Sequence, residues 1–140
     1  MRKKDILKAG CVVINLVDKK IGLIYRNKQK DFEFPKGHLE YNENIEECAI
    51  RETAEEIKRD VSIVKGFKPY PMRYVNKKGE RCLCYYFLAV DEKHSDNEST
   101  DTHELVWKDI KDVGCTLTHQ SLKNVWNYFL PKIQKKYNFN

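Results

Sequence analysis

Three carboxylates in this 140-residue chain, Glu52, Glu55 and Glu56, fall at i, i+3 and i+4. On an α-helix that spacing projects all three from one face, within reach of one another. Like charges so placed destabilise a bare helix by about 0.2–0.5 kcal/mol per pair. A hard divalent cation that takes oxygen ligands, Mg²⁺ first and Mn²⁺ as the alternative, turns that repulsion into a site. Arg51 and Glu43 are suited to a charge network that orients the ligating carboxylates. Gly37, lacking a Cβ, permits close approach of backbone to an ion or ligand.

The elements that must position these groups are legible in outline. Asn44 followed by Glu47 is a capping-box start for a helix. Ile45, Cys48, Ala49, Thr53 and Ile57 form its buried side, which leaves the carboxylate face toward a cleft. Before it, apolar runs over 9–16 and 21–25 read as two strands joined by a tight turn. Phe32 to Phe34 is a short strand stopped by Pro35, delivering the chain to a loop over 35–38. After the helix come a strand over 61–64 and a hairpin with arms 67–75 and 81–90 around Asn76 to Gly79. Pro69 and Pro71 make the first arm irregular or an edge. Residues 91–102 are polar and aperiodic, a mobile loop. A last strand over 104–107 precedes a helix capped by Thr118, with Leu122, Val125, Trp126, Phe129 and Leu130 at helical spacing and Pro131 ending or kinking it. Strands before and after a central helix, with a helix at the end, imply an α/β sandwich with no internal repeat.

At this length residues 1–140 form one domain able to bury a core without staples. Lys and Arg number 26 against 21 acidic residues, a net charge of +5, with the acids crowded into 40–60. The excess suits a polyanionic ligand such as a polyphosphate. Without a long basic stripe or binding motif, no stable nucleic-acid partner is expected. The five cysteines, Cys11, Cys48, Cys82, Cys84 and Cys115, include no C-x-x-C pair, so reduced buried thiols and a cytoplasmic protein are expected. No apolar run is long enough for a membrane span, and no signal-type apolar core follows the basic start at residues 1–5.

Gly37, five residues, Glu43, seven residues, then Arg51, Glu52, Glu55 and Glu56 resemble the signature of the Nudix hydrolases, which cleave nucleoside diphosphates linked to another group. The resemblance implies an α-β-α sandwich with a mixed sheet. It also implies a metal held by Glu52, Glu55, Glu56 and the Gly37 carbonyl, with Arg51 among the catalytic set. Two positions depart from the pattern: Lys58 stands where a Gly terminator is usual, and Arg59 where an apolar residue is usual. The first departure puts the helix-ending turn in doubt by about 1 kcal/mol.

Beyond this signature, the run Phe34 to Glu40, Gly66 to Lys68, the Tyr74 region and the Trp107 strand resemble the animal-type asymmetrical diadenosine tetraphosphate hydrolases. In that likeness Lys36 and His38 face the phosphates and Tyr74 stacks a base, with Tyr70 a competing stacker. Asp101 or Glu104 supplies a further acid, and His94, His103 and His119 are scattered surface residues. The expected activity is Mg²⁺-dependent hydrolysis of diadenosine tetraphosphate to ATP and AMP. Alternatives are pyrophosphatases of oxidised nucleoside triphosphates, nucleotide sugars or RNA 5′ ends, and a catalytically silent nucleotide-binding module.

Overall fold

The computed structural model describes residues 4–139; Met1 to Lys3, part of the basic start read for a signal segment, and Asn140 lie outside the described residues. The apolar run at the start is β1 (Ile6–Asn15), followed by β2 (Lys20–Arg26), β3 (Asp31–Glu33) and β4 (Lys36–His38). Helix α1 (Ile45–Ile57) comes next, then β5 (Arg59–Ile63), β6 (Tyr70–Val75), β7 (Arg81–His94) and β8 (Glu104–Asp109). Helices α2 (Ile110–Thr116) and α3 (Gln120–Tyr137) complete the chain.

The eight strands of the described residues join one mixed sheet organised on β1. Along one edge β1 runs parallel to β7, from Ile6 opposite Cys82 to Ile14 opposite Val90. Its other edge is shared: Lys8 to Gly10 pair with β4, and Val13 to Asn15 pair with β2. Alternation then sorts the side chains. Ala9, Cys11 and Val13 pack with Cys48, Ala49 and Ile57 of α1, whereas Val12 and Ile14 pack with Val125, Trp126 and Phe129 of α3. The result is the expected α-β-α sandwich, each face of the sheet covered by a helix. β6 pairs with β7, and Pro71 is accommodated on this outer strand.

Several local expectations change. Residues 36–38, read as a loop, form β4, because β1 offers them a free edge at Lys8 to Gly10. β7 continues past Val90 to His94, pairing with β5, so the first part of the expected mobile loop is strand. Helix α2 lay unread; its seven residues are too few to show a period. Helix α3 starts at Gln120 behind His119 rather than Thr118, and the His119 side chain makes no capping bond. Pro131 lies inside α3 without ending it, the helix continuing to Tyr137.

The two departures at the end of α1 have physical explanations. Lys58 is the C-cap at φ 56° and ψ 39°, so it adopts the left-handed conformation a glycine would take there. Its ammonium donates to the Asn97 carbonyl at 2.8 Å and also to that of Ser99. Glycine could make neither bond. Arg59 forms a two-pronged pair with Asp91 of β7, at 2.7 and 3.0 Å, which satisfies a charge where apolar packing is usual. Lys58→Gly is therefore expected to leave global stability within about 1 kcal/mol, relief of the left-handed strain offsetting the lost bonds. Lys58→Met, which keeps the strain and loses the bonds, is expected to be destabilised by about 1 kcal/mol or more. Denaturant unfolding and hydrogen exchange over 95–101 check both, with faster exchange expected in each variant; unchanged exchange would refute the tether.

Candidate active site

Helix α1 starts as its sequence dictates. Asn44 accepts the Glu47 amide at 2.8 Å, and Glu47 accepts the Asn44 amide at 3.0 Å, closing the capping box. With Cys48, Ala49, Thr53 and Ile57 fixed against the sheet, Glu52 and Glu56 are carried to its edge at β4. Glu52 and Glu56 are both largely buried, at 8% and 7% exposure.

Arg51 orders this acidic group. Its Nε meets Glu43 Oε2 at 2.6 Å and its Nη2 meets Glu43 Oε1 at 3.0 Å, a two-pronged pair. Nη1 donates to Glu52 Oε1 at 2.7 Å and to Glu55 at 3.2 Å, while Nη2 also reaches the His38 carbonyl at 2.9 Å. One guanidinium thus ties the loop before α1, the helix and β4 together, with the donors of its fork well used. The Glu43 carboxyl is held below its ordinary range by this bond, and the Arg51 pKa is raised by the same partner.

The remaining carboxylates shift the other way. Burial pushes the Glu52 carboxyl up, against the Arg51 hydrogen bond. Burial pushes Glu56 up to about 8, against the Lys36 amide that donates to its Oε1 at 2.8 Å. These groups lack enough positive charge for two buried anions. Gly37 matters to their packing: a Cβ there would lie 1.6 Å from Glu52 Oε2, in the space the carboxylate occupies. The Gly37 carbonyl faces α1 and takes a long contact, 3.6 Å, from the Cys48 thiol. Oxygen donors, negative charge in excess and shape all fit a hard divalent cation.

Lys8, Lys36, Gly37, His38, Glu40, Arg51, Glu52, Glu55, Glu56 and Asp101 line one acidic hollow. Asp101, rather than Glu104, is the further acid in it; Glu104 sits in β8 opposite Tyr25. His103, expected at the surface, has its Nε2 3.6 Å from Glu56 and 3.7 Å from Asp101. One ligand atom from each of Glu56, Asp101 and His103 falls within 4.8 Å of the others, a group that could hold a metal ion. The backbone brings this about, since the His103 amide donates to the Glu56 carbonyl at 2.8 Å.

Beside the hollow opens a larger cleft of about 680 Å³, with Lys8, Arg26, Lys36, His38, Lys77 and Tyr74 in its lining. Lys8, Lys36 and His38 belong to both spaces. His38 is held below its ordinary pKa, by burial first and then by Lys8 and Lys36. Tyr74 accepts Lys8 Nζ at 2.7 Å and is pushed up to about 12 by burial. Tyr70 does not reach the cleft lining; its ring packs on Tyr128 at 5.3 Å. His119 is exposed, as expected, and it also lines the cleft and bonds Asp31 at 2.7 Å. His94 is exposed at the end of β7, as expected. Lys8, Arg26 and His119 carried no sequence signal, because only strand pairing and the return of α3 bring them beside Lys36.

All five cysteines are free. Four are buried, and burial pushes Cys11, Cys48 and Cys84 up to about 12; Cys115, expected to be buried like the others, is exposed. Among the described residues no helix is long and apolar enough to cross a membrane.

Residues 6–129 match the NUDIX domain, and the chain belongs to that family, whose hydrolases act on phosphoric anhydride bonds. Solved structures similar to it include the *C. elegans* Ap4A hydrolase, 21% identical, covering 93% of this chain and 99% of that one with a TM-score of 0.74. A binary complex of the *C. elegans* Ap4A hydrolase is 22% identical, with 93% and 98% coverage and a TM-score of 0.77. The *E. coli* dihydroneopterin triphosphate pyrophosphohydrolase is 14% identical, with 93% and 99% coverage and a TM-score of 0.69. At these identities the likeness is one of fold.

The raised Glu56 pKa has a consequence for stability. A carboxyl whose folded pKa is raised stabilises the fold while protonated, and that contribution is lost as the pH rises from 4.5 through about 8. Glu52 acts in the same direction. Without divalent cations, the melting temperature is expected to fall across that window. Added Mg²⁺ or Mn²⁺ is expected to restore it at pH 8 by binding the folded state. Glu56→Gln is expected to flatten the fall, and an equally steep profile in that variant would count against the assignment.

Proposed function

We propose that residues 1–140 act as one Nudix domain, a Mg²⁺-dependent cytoplasmic hydrolase of dinucleoside polyphosphates, with diadenosine tetraphosphate the favoured substrate and ATP and AMP the products. The observation that carries this reading is that Lys36 borders both the acidic hollow and the large basic cleft. A polyphosphate can run from one to the other past the Lys36 ammonium, with Lys8 also lining both spaces.

Glu52, Glu55, Glu56 and the Gly37 carbonyl would hold Mg²⁺, with Mn²⁺ as the alternative. When bound, the ion neutralises phosphate oxygens and makes a water acidic enough to attack phosphorus. Arg51 keeps Glu52 and Glu55 in place by the bonds described above. Lys36 offsets charge on the phosphate in flight, and His38 contributes polar contact at the same border. The carboxylate cluster supplies the acceptor for the water's proton. Tyr74, steadied by Lys8, offers a ring for one base, and anchoring that end makes the cut asymmetric. The partner is a small nucleotide; neither a membrane nor a stable nucleic-acid partner enters this reading.

Incubation of diadenosine tetraphosphate with Mg²⁺ in labelled water, with chromatographic separation of nucleotides, tests the assignment. ATP and AMP are expected; two ADP, or no turnover beside rapid hydrolysis of an oxidised guanine triphosphate, would reject the substrate. Glu56→Gln is expected to abolish turnover while the metal-free protein melts no lower than wild type. Tyr74→Ala is expected to weaken substrate binding roughly tenfold, the lower part of the range for one stacked base; unchanged affinity would remove Tyr74 from the site but leave the reaction standing.

A further inference from the structure

Among the polar groups in the wall of the large cleft that the proposed reaction does not use are Glu33 of β3 and Tyr86 of β7. Tyr86 is fully buried, and its hydroxyl is without a hydrogen-bond partner among the described residues. Its neighbour on β7 is the Cys84 thiol, and sulfur is only a weak hydrogen-bond partner for a hydroxyl. A buried hydroxyl left unsatisfied is unfavourable by about 1–3 kcal/mol, and Phe would fill the same space without that penalty. The position packs edge-on against Phe34 at 5.7 Å, so the ring alone accounts for the packing and the hydroxyl does not contribute to it.

Glu33 is the second group, its side chain only 11% exposed. Its neighbour Asp31 is fully engaged, holding the Arg26 fork at 2.7 and 2.6 Å and His119 at 2.7 Å. Glu33 is held more loosely, 3.5 Å from Arg26 Nε and 3.5 Å from Lys36 Nζ. A carboxylate has about four lone-pair positions, so these two long contacts leave it accepting capacity to spare. The wall therefore sets an acceptor-only group near a hydroxyl with a proton to donate.

We propose that Glu33 and Tyr86 are specificity-determining residues that read the edge of an adenine. Glu33 accepts an N–H of the 6-amino group, and the Tyr86 hydroxyl donates to a ring nitrogen beside it. An N–H donor adjacent to a ring-nitrogen acceptor is the pattern adenine presents on its edges. The cleft volume of about 680 Å³ suits a nucleotide, and its few polar groups orient the ligand rather than supply the bulk of the contact. This inference rests on the proposed nucleotide polyphosphate reading and adds to it the chemistry that selects the base.

Calorimetric titration with Mg²⁺ present compares ADP with purine riboside 5′-diphosphate, the same ligand without its 6-amino group. Wild type is expected to bind ADP at least roughly tenfold tighter, the loss that follows when a charged acceptor is left unpaired. In Glu33→Met, which keeps volume and removes the acceptor, the two ligands are expected to bind within about twofold of each other. Tyr86→Phe is expected to weaken ADP roughly fivefold while the ligand-free melting temperature holds or rises. Unchanged ADP affinity in Tyr86→Phe, whatever its melting temperature, overturns the role of Tyr86. Equal binding of both ligands by wild type overturns the proposal even if Glu33→Met fails to fold. If neither ligand binds and no dinucleoside polyphosphate is cleaved, the proposed function falls as well; ADP binding without discrimination removes this inference alone.

Discussion

The site depends on a single guanidinium. Arg51 holds Glu43, Glu52 and Glu55 and reaches the His38 carbonyl, so it connects the loop before α1, the helix and β4. Without it, several carboxylates at the edge of a sheet would repel one another in surroundings partly closed to water. Even with it, the charges do not balance: Glu52 and Glu56 are buried and their carboxyls are held above the ordinary range. That residual imbalance suits the acids to a cation, and it follows from their placement on a helix whose opposite side is fixed in the core.

Fixing that opposite side is the work of β1. Its residues alternate between α1 and α3, while its edge is divided between β2 and β4. The division leaves β4 three residues long and directly beside the carboxylates. Gly37 then has to be without a side chain, because Glu52 occupies the space where a Cβ would be. Lys36, one residue earlier, gives its amide to Glu56 while its side chain stands between hollow and cleft. Backbone and side chain of one residue thus serve two neighbouring spaces.

The departures from the family pattern show how a fold absorbs sequence change. Lys58 keeps the left-handed backbone of a glycine terminator and uses its ammonium on the Asn97 and Ser99 carbonyls. That bonding anchors the segment leading to Asp101 and His103, both beside Glu56. Arg59 similarly finds Asp91 on the neighbouring strand. Each substitution is matched by a partner distant in sequence, which is why neither looks compensated when the chain is read in one dimension.

The sequence by itself determined whatever rests on local periodicity and spacing. The i, i+3, i+4 carboxylates, the Asn44 capping box, the apolar side of α1 and the alternation of β1 all follow from helix and strand geometry, and with them the fold class and the acidic cluster. Tertiary structure alone decided what rests on the meeting of distant segments. It placed Asp101 rather than Glu104 in the hollow, brought His103 to Glu56 and His119 to Asp31, turned residues 36–38 into a strand and carried α3 through Pro131. Pairing across the sheet and the return of a loop have no local period, so the residues they bring together carry no mark of it in the sequence.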